Sequence, residues 1–152
     1  MQKAVSGFNS ADKIRLLIAG RDKPGKYRRL AGKLGIEREI IFLGPVRHIH
    51  NILSIADVAV LPTFYDPASR FILEAIAAGK PVITTRFNGA IDSFSDKRHG
   101  RIIDSPLDTA ALSEAISHFS DPENIQKASN AIKADNLKAE ISIDRMVSRI
   151  IN

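Results

Sequence analysis

The sequence contains no cysteine, which excludes both a disulfide framework and a thiolate metal site. No stretch reaches the run of about 18 apolar residues that a membrane-spanning helix needs. The opening Met-Gln-Lys-Ala-Val-Ser-Gly-Phe-Asn-Ser lacks the apolar centre of a secretory leader, so a cytoplasmic location is the default expectation. Aromatic residues are scarce, and no aromatic platform accompanies the basic group Arg21, Lys23, Lys26, Arg28, Arg29 and Lys33. A solvated helix face is therefore the expected role of those cations, with no nucleic-acid partner. His48, His50, His99 and His118 show no ligand spacing with acidic partners, and no metal is assigned to them.

What is present suits one well-filled domain: 152 residues, 44% of them hydrophobic. The formal net charge of +5 favours anionic partners, among them nucleotides and acidic lipid. Apolar runs alternate with amphipathic segments along the chain. Strands are expected at Ile14–Ala19, Ile40–Leu43, Val58–Leu61, Pro81–Thr85 and Arg101–Ile103. Helices are expected after the start signal Asp22/Pro24 up to Gly35, at Ile49–Ala56 and at Arg70–Ala78. Fully apolar strands alternating with helices predict an α/β domain, a Rossmann-like parallel sheet covered on both faces. Ligands of such sheets bind beyond the carboxyl ends of the strands, where Gly20, Gly44, Pro62 and Thr85 all fall. The tail over 107–152 is helical, with Asp108 opening one helix. Ile141, Ile143, Met146, Val147, Ile150 and Ile151 make an apolar stripe near its end.

The most informative segment is Pro62–Thr85, PTFYDPASRFILEAIAAGKPVITT. It reads as a strand end, an acidic loop, a helix and another strand. Asp66 and Glu74 bracket the start of that helix, where free backbone N–H groups and the helix dipole attract an anion such as phosphate. Carboxylates do not hold phosphate, but they accept hydrogen bonds from sugar hydroxyls. A phosphate seat flanked by two hydroxyl acceptors suits a nucleotide sugar.

These residues resemble the signature of the retaining glycosyltransferases with the two-domain GT-B fold (family 4, group 1). The likeness rests on Asp66-Pro67 followed by Leu73-Glu74-Ala75-Ile76-Ala77-Ala78-Gly79-Lys80-Pro81-Val82-Ile83. It extends upstream through Leu16-Leu17-Ile18-Ala19-Gly20, Ile41-Phe42-Leu43-Gly44 and Ala56-Asp57-Val58-Ala59-Val60-Leu61-Pro62. Within the family, the segment from Gly20 to Gly35 is similar to the branch of lipopolysaccharide-core heptose glucosyltransferases. The resemblance implies that residues 1–152 are the donor-binding domain of a longer enzyme that transfers sugar, with retention, from a UDP- or GDP-sugar. It also implies a separate N-terminal acceptor domain and a first strand bearing a basic diphosphate clamp. Neither is expected in this chain: residues 1–10 or another polypeptide replace the strand, or the sheet is rearranged, and the chain alone is expected to be inactive. No cofactor is implied, the nucleotide sugar being a substrate. Peripheral contact with acidic lipid at the inner face of a membrane is a further expectation.

Carried over residue by residue, the resemblance gives Asp66 the catalytic position beside the reacting sugar, although Asp is one methylene shorter than the usual Glu. Glu74 takes the ribose hydroxyls. Ser69 stands where the family has glycine and is expected to narrow the seat. The amides of Arg70 and Phe71 face the phosphate, and the Arg70 guanidinium either pairs with the diphosphate or points to solvent. The Gly44-Pro45-Val46-Arg47 loop takes the nucleobase, and the Gly20-Arg21-Asp22 loop lies on the same rim as a further binding candidate. Two other classes stay open on sequence alone: a non-catalytic nucleotide-binding or regulatory module, and a basic α/β domain that binds nucleic acid.

Overall fold

In the computed structural model, which describes residues 14–21 and 25–140, each apolar run becomes a strand and each amphipathic run a helix. The strands are β1 (Leu16–Ala19), β2 (Ile40–Gly44), β3 (Ala59–Leu61), β4 (Val82–Thr85) and β5 (Gly100–Ile103). The helices are α1 (Lys26–Leu34), α2 (Ile49–Ile55), α3 (Arg70–Ala77), α4 (Thr109–His118), α5 (Pro122–Ala134) and the short α6 (Leu137–Glu140). A 3-10 turn over Gly89–Ser93 lies between β4 and β5. The helix-start signal at Asp22 and Pro24, the role considered for residues 1–10 and the apolar stripe from Ile141 to Ile151 lie outside the described residues.

Local chemistry explains the boundaries. Gly35 ends α1 in the left-handed conformation (φ 66°), and its amide closes onto Ala31 and Gly32. Asp108 caps α4 by accepting the Ala111 amide at 2.9 Å, and Asp121 caps α5 by accepting that of Glu123 at 2.9 Å. Pro81 has no N–H to give to a ladder and stays just outside β4, where its carbonyl accepts the Ala59 amide at 3.0 Å.

Every paired strand is parallel. The period of two along β4 divides its side chains between two cores. Val82 joins Ala59, Leu53 of α2 and Ile72, Ala75 and Ile76 of α3 on one face. Ile83 joins Ile103, Leu112 and Ala115 of α4 and Ala128 of α5 on the other. Helices therefore cover both faces of β3-β4-β5, as expected.

Among the described residues the strands form two parallel sheets, β1-β2 and β3-β4-β5, with no ladder between them. Burial follows this division. All four residues of β4 are buried, whereas Leu16, Leu17 and Ile18 are half-buried and Ile41 is 46% exposed.

Candidate functional site

The site is built where β3 and β4 end. Thr84 and Thr85, both buried, donate their hydroxyls backward to the carbonyls of Leu61 (2.8 Å) and Thr63 (2.6 Å). They thereby fix the loop that leaves β3. Asn88 is fully buried beside them; its amide nitrogen donates to the Thr84 hydroxyl at 3.0 Å and its oxygen accepts the Ala90 amide at 3.0 Å. Buried polar groups satisfied in this way rigidify what they touch. The segment they hold is the acidic loop: the Asp66 amide donates to Phe87 O at 3.1 Å and the Gly89 amide donates to Asp66 O at 2.8 Å. Gly89 passes so close to Pro67 that a Cβ there would sit 1.9 Å from the Pro67 carbonyl oxygen. Only glycine permits that approach.

The loop delivers Asp66 and then opens α3. Asp66 Oδ1 accepts the Ala68 amide at 3.2 Å, a local turn, and Oδ2 has no partner among the described residues. Phe64 and Tyr65, 66% and 78% exposed, stand beside it. Ser69 is the N-cap of α3: it is 3% exposed, and its hydroxyl accepts the Ile72 amide at 3.5 Å. The Ser69 side chain thus turns into the helix end. The Leu73 amide bonds Ser69 O at 3.1 Å. That leaves the amides of Arg70 and Phe71 without partners among the described residues, a pair of donors at the positive end of the helix dipole. The Phe71 ring packs against the core, so Phe71 offers its backbone only.

The buried stripe of α3 is Ile72, Ala75 and Ile76, which leaves Arg70 and Glu74 outside it, four positions apart. Arg70 Nη2 donates to Glu74 Oε1 at 3.0 Å, with side chains 90% and 36% exposed. The phosphate-facing and ribose-facing candidates thus bond each other.

The remaining candidates belong to the other sheet. Gly20 (φ 132°) follows β1 and Gly44 (φ 69°) ends β2; both need the freedom of glycine, and the Gly20 amide donates to Gly44 O at 2.8 Å. This bond joins the Gly20-Arg21 and Gly44–Val46 loops, with Arg21 exposed and Val46 half-buried. Among the described residues no hydrogen bond or ion pair links these loops to the Asp66–Glu74 segment.

Sequence reasoning missed the network of Thr84, Thr85 and Asn88, although Asn-Gly at positions 88–89 is a turn signal. It also left out the cluster before β5. Arg98 donates from Nε and Nη2 to both carboxylate oxygens of Asp135, each at 2.7 Å. Asp135 Oδ2 lies 2.8 Å from Nε2 of the buried His99, whose Nδ1 accepts the Ser95 amide at 3.0 Å. The Arg98 hydrogen bond, against the opposing effect of desolvation, holds the Asp135 carboxyl down at about 2. The cluster clamps the end of α5 to the amino end of β5, so its role is structural. Among the described residues no three His, Cys, Asp or Glu side chains gather as a metal site.

Residues 2–136 match the family described as glycosyl transferases group 1. Lipopolysaccharide glucosyltransferase WaaG of Escherichia coli is 33% identical over 101 residues, which are 66% of this chain and 27% of that protein. D-inositol 3-phosphate glycosyltransferase of Corynebacterium urealyticum is 31% identical over 114 residues, 70% of this chain and 27% of that protein. The crystal structure of WaaG superposes with a TM-score of 0.77 and 26% identity, covering 92% of this chain and 37% of that one. A structure of Anabaena Alr3699/HepE in complex with UDP superposes at 0.76 with 17% identity, a likeness of fold, covering 97% of this chain and 44% of that one. This chain thus spans little more than a quarter of the curated relatives it matches.

Proposed function

We propose a donor-binding function for this chain, which belongs to the glycosyl transferases of group 1. It binds a nucleotide sugar at the start of α3, as part of an enzyme that transfers the sugar to an acceptor hydroxyl with retention. One observation carries the reading: the unpartnered Arg70 and Phe71 amides stand one helical turn before the outward-facing Glu74. A turn spans about 5.4 Å, which suits a diphosphate at the amides and a ribose at the carboxylate. The complexes of Alr3699/HepE with UDP and with UDP-glucose support a nucleotide-sugar ligand for this fold.

In this reading the acceptor hydroxyl attacks the anomeric carbon from the face that the nucleotide leaves. The protein's contribution is to stabilise negative charge growing on the departing diphosphate. Preorganised amides and the Arg70 guanidinium do so without a protein nucleophile. Asp66 Oδ2 accepts from the sugar hydroxyls, and the buried Asn88 network fixes the backbone that carries it. The nucleoside end lies toward the Gly20-Arg21 and Gly44–Val46 loops. The location that goes with this reading is cytoplasmic, with contact to acidic lipid at the membrane face, which the positive net charge favours. Cosedimentation with anionic but not neutral vesicles tests that contact.

Calorimetry with UDP-glucose, GDP-mannose, UDP and GDP tests the function. The expected result is binding in about the millimolar range, equivalent to roughly −4 kcal/mol, with a preference for one sugar donor over its free nucleotide. Equal affinity for sugar-bearing and free nucleotides would instead mark a nucleotide-binding module.

A further inference from the structure

We propose that the cavity between the turn before β5 and the helices α4 and α5 binds a small organic phosphate with an apolar body. Its volume of about 390 Å³ falls in the range of about 300–1,000 Å³ typical of small-molecule sites. Lys97 and Arg98 of the turn, His118 at the end of α4, Phe119 beyond it, and Lys127 and Ala128 of α5 line it. This is the amino end of β5, whereas the acidic loop leaves the carboxyl end of β3. The cavity is therefore separate from the proposed donor seat and does not depend on that reading.

The first observation is charge. Lys97, Arg98 and Lys127 stand on the lining, and no carboxylate does. Both lysines are exposed and make no ion pair among the described residues. Arg98 gives Nε and Nη2 to Asp135, and its Nη1 has no partner among the described residues. A fourth cation lies behind the wall. Alternation along β5 puts Arg101 on the face of Ile103, which packs with Phe119 and Ala128. Arg101 Nε is buried without a hydrogen-bond partner, and the Arg101 charge acts on His118. An anion in the cavity offsets the cost of that unpaired cationic donor. Asp121 and Glu114 also act on His118, but neither lines the cavity, and Asp121 Oδ1 is taken up in capping α5.

The second observation is backbone strain. Lys97 has φ 62°, in the left-handed region that disfavours lysine, and its amide donates to Gly100 O at 2.8 Å. Glycine would make the same turn at lower cost. A strained residue that carries an ammonium group onto a cavity points to a role for that group. The third observation is the floor. Phe119 and Ala128 are buried and put apolar surface beside the cations. Two unpaired lysines and the spare Arg98 donor suit a dianion better than a single carboxylate. The floor adds a preference for an ester with an apolar body over bare phosphate. A concave site of this size takes a soluble molecule rather than a flat membrane surface.

The test is the pH titration of His118 by proton NMR, with and without phenyl phosphate as the probe; His118→Gln identifies the resonance. Burial, and then the Arg101 charge, hold the His118 pKa below its ordinary value, so an anion seated beside it raises the pKa. The expected result is a saturable rise of about half a pH unit or more. Inorganic phosphate and benzoate should each bind at least about tenfold more weakly, for want of the apolar body or of the second charge. Lys97→Gly relieves the left-handed strain, so it should hold or raise the melting temperature while weakening phenyl phosphate by about tenfold. If that variant is less stable, Lys127→Gln, on an exposed helix face, carries the same expectation. An unmoved His118, a shift that survives both lysine substitutions, or equal affinity for inorganic phosphate or benzoate would overturn the proposal. Displacement of phenyl phosphate by phosphatidic acid vesicles, but not by phosphatidylcholine vesicles, would overturn the soluble source and make a lipid head group the occupant.

Discussion

Arg70 Nη2 and Glu74 Oε1 lie 3.0 Å apart across one turn of α3, so the two side chains proposed to divide a nucleoside diphosphate between them hold each other. The pair is exposed, and such i,i+4 pairs contribute only about 0.3–0.5 kcal/mol. A ligand that offers Arg70 a phosphate and Glu74 a ribose hydroxyl replaces a weak bond with two charge-assisted ones. Arg70→Gln should therefore leave the melting temperature nearly unchanged and weaken nucleotide-diphosphate binding by roughly tenfold, since a charged hydrogen bond contributes about 1.5–3 kcal/mol. The comparison is made by calorimetry at low salt; unaltered affinity would leave Arg70 with no role beyond its pair.

Gly89→Ala adds a methyl group where 1.9 Å separates the Cβ position from Pro67 O. The loop carrying Asp66 must move, at a cost of about 1–3 kcal/mol in stability. Thermal denaturation should show this loss, and discrimination between a sugar donor and its free nucleotide should shrink with it. Gly32→Ala, where a Cβ meets nothing within 4 Å, is the control.

Asn88→Ala removes a fully buried amide and strips the Thr84 hydroxyl and the Ala90 amide of their partner. An orphaned buried polar group costs about 1–3 kcal/mol, so the urea midpoint should fall with little change in its slope. A surface-like effect below about 0.5 kcal/mol would contradict the clamp described for the acidic loop.

Asp135 supplies a pH signature. Its carboxyl is lowered to about 2 from 3.8, chiefly by the Arg98 hydrogen bond, so folding favours the ionised form. That contribution is complete above the ordinary value and fades as pH falls from about 4 toward about 2. Asp135→Asn should lower the melting temperature at neutral pH and flatten its decline on the acid side. Parallel curves for the two proteins would show that the Arg98–Asp135 pair contributes nothing.

The elements with local signals were legible in the sequence. Gly35 and Asp108 marked a helix end and a helix start, and the segment Pro62–Thr85 read as the acidic loop, the helix that is α3 and the strand that is β4. The Arg70–Glu74 pair was legible too, since Arg-Phe-Ile-Leu-Glu has the i,i+4 spacing, but ligand roles were assigned to each residue separately. Ser69 read as a defect in a glycine position, although serine before an apolar helical run is a standard cap. Thr84, Thr85 and Asn88 did not stand out, as polar residues at a strand end read as the start of a loop until their partners are seen.

The central claim is that the start of α3 seats a nucleotide sugar with Glu74 on the ribose, and Glu74→Gln tests it most directly. The substitution keeps size and one acceptor oxygen but removes the charge. Calorimetry with the preferred donor and thermal denaturation are run on the same samples. The account predicts roughly tenfold weaker donor binding, from the loss of a hydrogen bond of about 1.5–3 kcal/mol, at an almost constant melting temperature. A lowered melting temperature with undiminished donor affinity would contradict it and make Glu74 a purely structural partner of Arg70.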